Sequence, residues 1–129
     1  LPLRTAAPSH QPGLVLLVED NLDLRSSVRD MLTELGHSVV EASSVFEARA
    51  LWDGLPDIAL ILSDLVLQGE ETGLDLGAHA IRTQTPMYFM TSLPPSHDLH
   101  QRATQIAPVI PKPFAGEALS IFLTSKDVL

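Results

Sequence analysis

The sequence predicts a single-domain α/β fold, a doubly wound sheet of five parallel strands covered by helices on both faces. Three observations predict it. The continuous apolar runs Leu14-Val15-Leu16-Leu17-Val18, Ile58-Ala59-Leu60-Ile61-Leu62-Ser63 and Met87-Tyr88-Phe89-Met90 are the mark of strands buried on both sides. Amphipathic segments of helical period alternate with such runs. The 129 residues are 45% apolar, enough for one core that buries somewhat under about 70% of the extended chain's surface.

Residues 1–13 hold three prolines and a glycine without periodicity and read as a linker or tail, with the folded domain spanning 14–129. Strands are predicted at 14–18, 38–41, 58–63, 87–90 and 108–110. The first helix carries Leu24, Val28, Met31, Leu32 and Leu35 on one stripe, with Arg25, Arg29 and Glu34 outside it. Gly36 supplies the positive-φ residue that ends this helix. Ser44 and Glu47 have capping-box spacing ahead of a second helix, which carries Phe46 and Trp52 as packing residues. A third helix covers 73–82. A last one covers 115–125, with Ala118, Leu119, Phe122 and Leu123 toward the sheet. Between Thr91 and Pro108 the pattern weakens. Pro94-Pro95 favours an extended turn, and Ser96-His97-Asp98-Leu99-His100 starts a short polar helix with only Leu99, Ala103 and Ile106 to bury. It is expected to be the least stable element.

Composition excludes several classes. Eight basic residues against sixteen acidic ones give a formal net charge of -8, and the basic residues are scattered, so direct nucleic-acid binding is not expected. No apolar stretch approaches the ~20 residues that cross a bilayer, and no signal-peptide pattern opens the chain. With no cysteine, thiolate and disulfide chemistry are excluded and a cytoplasmic setting is expected. No glycine cluster follows Val18, so a nucleotide-cradling loop has no support. The chain starts at Leu1, which suggests a piece of a larger protein whose neighbour holds the output.

The chemistry gathers at the strand ends. In a parallel sheet the C-terminal ends of the strands open on one edge, where open α/β folds place their sites. The first run ends in Glu19-Asp20, the central run in Asp64, and the next in Thr91-Ser92; Pro111-Lys112-Pro113 follows the last strand. Three acids, a hydroxyl and a lysine on one edge suit a hard cation and a phosphoryl group. Mg²⁺ takes oxygen ligands and keeps several waters, so Asp20 and Asp64 are expected to bind it directly and Glu19 through water, with a backbone carbonyl just after Asp64; Mn²⁺ suits the same donors. A carboxylate beside such a cation can attack phosphorus and form an aspartyl phosphate. Lys112 then faces the phosphoryl oxygens, stiffened by its two prolines, and Thr91 donates its hydroxyl; Ser92 points elsewhere by strand alternation. Alternatively, Glu19-Asp20-Asn21 merely caps the first helix.

With these strings in this order, the chain resembles the receiver domain of bacterial two-component response regulators. The matching segments are Leu17-Val18-Glu19-Asp20-Asn21, Pro56 through Leu65, Met90-Thr91-Ser92 and Pro111-Lys112-Pro113-Phe114, and the resemblance covers about 14–125. It implies a flavodoxin-like sheet in the order 2-1-3-4-5. It also implies Asp64 as phosphoacceptor, Glu19 and Asp20 as metal acids, and Val66 as donor of a carbonyl. Thr91 becomes the switch hydroxyl and Lys112 the phosphate-contacting base, with a cis bond before Pro113. The implied partner is a histidine kinase or histidine phosphotransfer domain.

Two departures from the family pattern stand out. Val109 occupies the position, three before the lysine, where the family usually has an aromatic switch residue. Gln68 replaces a common proline in a loop one residue longer than usual. The long loop, the weak fourth helix and the proline-rich leader look more like a receiver attached to a hybrid histidine kinase, with kinase or output domains elsewhere in the parent chain. A second class is an interaction module that keeps the fold and signals without phosphate. A third, an aspartyl-nucleophile phosphatase of the haloacid-dehalogenase kind, wants an acid where this chain has Val66. His10, His37, His79, His97 and His100 show no metal spacing. Thr72, Leu74 and Asp75 read either as a kinase-docking edge or as ordinary helix-start packing.

Overall fold

The computed structural model describes residues 13–128, with side chains through 123. Strands β1 (Leu14–Val18), β2 (Ser38–Ala42), β3 (Ile58–Asp64), β4 (Met87–Thr91) and β5 (Val109–Pro111) alternate with helices α1 (Leu22–Glu34), α2 (Val45–Gly54), α3 (Gly73–Thr83), α4 (Asp98–Thr104) and α5 (Gly116–Val128). All strand pairs are parallel, in the order β2-β1-β3-β4-β5. Every predicted strand is present, within one residue at each end. β5 starts later than expected because Pro108 lends only its carbonyl, which accepts from the Phe89 N–H.

Side-chain alternation splits the core in two. Leu16, Val18, Ile61, Phe89 and their neighbours pack with α2, α3 and α4. Val15, Leu17, Leu62, Tyr88, Met90 and Ile110 pack with α1 and α5. The tail assigned to 1–13 lies outside the described residues except for Gly13.

Helix ends follow local chemistry, though not always the expected residue. Gly36 ends the first turn-out with φ 94°. Ser44 caps α2 by accepting from the Glu47 N–H, but the Glu47 carboxylate reaches back to the Ser43 N–H, one residue too early for a closed box. The closed box belongs to α3: Thr72 and Asp75 satisfy each other's end of the helix, so this segment is a helix start. α4 forms where the short polar helix was expected, capped by His97 through Nδ1. Phe46 corrects the expectation of packing: Val45, Ala48 and Trp52 form the buried stripe, and Phe46 lies one residue off it, 81% exposed.

Candidate functional site

The upper edge of the sheet brings together Glu19, Asp20 and Asp64, whose carboxylate oxygens lie within 4.8 Å of one another. Glu19 and Asp64 are buried and Asp20 half-buried. The helix-cap alternative for these acids divides by residue. Asn21 alone caps α1, its Oδ1 accepting from the Leu24 N–H at 2.9 Å, which leaves the carboxyl groups of Glu19 and Asp20 to the crevice.

Each acid is held. Glu19 Oε2 accepts from the Asn21 N–H at 3.1 Å. Lys112 Nζ stands 3.2 Å from Glu19 Oε1 and 3.2 Å from Asp64 Oδ2, bridging the two buried acids. Asp20 Oδ2 accepts from the Gln68 N–H at 3.0 Å, so the unusual loop after β3 folds back onto the first acidic strand end. That loop is tied at two further places, by the buried Leu67 and by a 2.8 Å ion pair between Glu71 and Arg49 of α2. The Val66 backbone hydrogen-bonds to the Asp64 carboxyl group and helps to stabilise its charged form.

Thr91 ends β4 beside β3, one step beyond Met90, which is in register with Asp64. It is buried; its Oγ1 accepts from the Leu93 N–H at 3.1 Å and its carbonyl from the Lys112 N–H at 2.9 Å. Ser92 is exposed, as alternation requires. The Lys112–Pro113 bond is cis. One residue set aside as lying off the helix stripe belongs here. Arg25 of α1 donates to the Glu19 carbonyl and to Glu41 of β2. The readable signal was an arginine pair, Arg25 and Arg29, one turn apart and opposite a lone Glu41.

Burial, followed by the charge of Asp64, pushes Glu19 up to about 7, against the pull of Asn21 and Lys112. Burial likewise raises Asp64, with Lys112 the main opposing influence. Folded Glu19 therefore keeps a proton between about pH 4.5 and 7 that the unfolded chain has lost, and metal-free stability should fall as pH rises through that window. The expected loss is on the order of 2 kcal/mol, read from urea midpoints across pH. Glu19→Gln should flatten the dependence. An unchanged slope in that variant would place the effect elsewhere.

A model of the response regulator receiver domain matches residues 15–123. The chain belongs to that family. Among solved structures, this receiver is similar to the chemotaxis protein CheY4 of Vibrio cholerae, at 26% identity over 88% of this chain and 98% of that one, TM-score 0.74. It is also similar to the signal receiver domain of a modulated diguanylate cyclase from Desulfovibrio desulfuricans, at 28% identity over 92% and 97%, TM-score 0.78. The response regulator PhyR of Brucella abortus, at 22% identity over 99% of this chain and 56% of that one with TM-score 0.70, adds likeness of fold alone. Comparison with curated protein sequences gives no match. No helix of the described residues is long and apolar enough to cross a membrane.

Proposed function

We propose that this receiver accepts a phosphoryl group from a phosphohistidine of a histidine kinase or phosphotransfer domain onto Asp64, and passes the signal on by conformational change or further transfer. The observation that carries the reading is the crevice itself: three clustered carboxyl groups with one lysine bridging the two most buried. The donor set fits a hard divalent cation, because the acids are all oxygen ligands, and burial together with the charge of Asp64 raises Glu19, a penalty that a cation would relieve. Glu19, Asp20 and Asp64, with the Val66 carbonyl, would hold Mg²⁺ or Mn²⁺, which when bound supplies positive charge to the phosphoryl oxygens.

The chain's own groups do the rest. An Asp64 carboxylate oxygen attacks phosphorus, and the P–N bond breaks with its electron pair going to the departing imidazole. Lys112 exchanges its contact with Asp64 for the incoming phosphoryl oxygens, and Thr91 turns its hydroxyl toward them. Incubation with Mg²⁺ and acetyl phosphate, followed by intact-mass analysis, tests the reading; the expected product carries one added phosphoryl group. No labelling from any donor would sink it. Parent-chain kinase or output domains belong to the same proposal.

Val109 favours a second reading, an interaction module that works without phosphate. It is half-buried against the core on the α2–α4 side of the sheet, with no polar tip and no ring to swing. Under the main reading the switch runs through the loop instead. When Thr91 closes on the phosphate its bond with the Leu93 N–H is disturbed, and α4, which buries only Ala103 fully, gives way. Amide shifts on adding beryllofluoride, a mimic of aspartyl phosphate, should concentrate in residues 91–105, α4 included, with a modest change on the face that α4 forms with β5 and α5. Shifts confined to residues touching the mimic would leave phosphate storage or transfer as the better account.

A further inference from the structure

We propose that Arg25, braced by Glu41, is a positioning residue for the acidic crevice: it holds the Glu19-Asp20 turn in its cation-binding shape without touching the cation. The inference rests on the metal-binding reading above. The Glu19 main chain is pinned at both polar atoms. Its N–H donates to the Ala42 carbonyl of β2 at 3.0 Å, and its carbonyl accepts from Arg25 Nη1 at 2.9 Å. The same guanidinium donates through Nε to Glu41 Oε1 at 3.1 Å. One planar fork thus ties α1, the end of β1 and β2 together at the residue where the acids begin.

The Glu19 side chain has its own partners in Asn21 and Lys112, so what Arg25 determines is the backbone beneath it. The Arg25 and Glu41 side chains are only 17% and 28% exposed, which makes the pair less screened and less mobile than a surface ion pair. Charge placement matters as well. A guanidinium beside a cation site repels the cation, and Glu41, which Arg25 shares with Arg29, offsets part of that charge. A lysine ammonium acts as a point charge and does not reproduce two donor directions set by a rigid plane. Arg29 provides the internal control, because it reaches Glu41 Oε2 at 3.4 Å and has no bond to Glu19 among the described contacts.

Calorimetric titration of the full chain with MgCl₂, at fixed pH and ionic strength, tests this alongside amide spectra of the metal-free protein. Arg25→Gln should weaken Mg²⁺ binding about tenfold, as loss of an outer partner of a metal ligand commonly does. Arg25→Lys should weaken it comparably, while Arg29→Gln stays within about twofold of the wild type. The amides of Glu19 and Asp20 should move in both Arg25 variants and stay in place in Arg29→Gln, a result a general loss of stability would not produce. Wild-type affinity in Arg25→Gln, or equal weakening by Arg25→Gln and Arg29→Gln, overturns the inference alone. A wild-type chain that does not bind Mg²⁺ overturns the metal-binding reading and this inference with it.

Discussion

Replacing Asp64 by asparagine is expected to reduce phosphoryl labelling to background. The substitution keeps the size of the side chain and its place at the end of β3. It removes the negative oxygen that the proposed chemistry uses to attack phosphorus, and an amide oxygen is no substitute nucleophile at neutral pH. It also relieves the burial of a charge beside Glu19, so Asp64→Asn should fold at least as well as the wild type without metal. That combination separates chemistry from folding. Intact-mass analysis after acetyl phosphate treatment should show one added group on the wild type and none on the variant, with thermal midpoints measured in parallel. Equal labelling of the two proteins would move the acceptor away from Asp64.

Gly73→Val should cause the largest loss of stability among substitutions near the site. A Cβ at this first residue of α3 would stand 2.6 Å from the carbonyl oxygen of Asp64 and 3.2 Å from Leu65 Cα. Both are backbone atoms of the central strand's end, and the Gly73 N–H already donates to the Leu65 carbonyl at 2.9 Å. Neither side of the contact has a flexible side chain to move, so α3 must lift or the Asp64 backbone must shift. The expected cost is about 3 kcal/mol, a fall in Tm on the order of 10 °C, with weaker Mg²⁺ binding because the displaced atom belongs to Asp64. Gly54→Ala, at the end of α2 where an added Cβ meets nothing within 4 Å, is the matched control and should be neutral or slightly stabilising. Unaltered stability in Gly73→Val, measured by denaturant unfolding, would contradict the close approach.

The strands were legible because burial on both faces leaves little choice of residue. Leu14 through Val18 and Ile58 through Ser63 can be read as strands with no knowledge of their partners. The acids were legible for a related reason: a carboxyl group closing an apolar run lies at the strand end, and parallel strands gather their ends on one edge. Gly36 was legible because few residues other than glycine adopt its φ readily.

Other features were not, and each failed at a point where neighbours decide. Phe46 and Val45 are adjacent apolar residues at the start of one helix, and which of them faces the core is settled only when α2 packs on the sheet, with Val45 buried and Phe46 in water. Asn21, the residue immediately before Leu22, caps α1, while the Asp20 carboxyl group accepts instead from the Gln68 N–H, brought from 48 residues away. Arg25 read only as a residue outside the apolar stripe of its helix, and its partners Glu41 and the Glu19 carbonyl come from β2 and from the residue that follows β1.

By itself, then, the sequence determined the class of fold, the alternation of elements and which residues reach the active edge, because those follow from periodicity and from where apolar runs stop. The tertiary structure alone decided which of those residues touch: Lys112 between Glu19 and Asp64, Gln68 on Asp20, Arg25 under Glu19. A hydrogen bond or ion pair depends on side-chain directions and distances of a few ångströms, and those are set only when separate elements pack against one another.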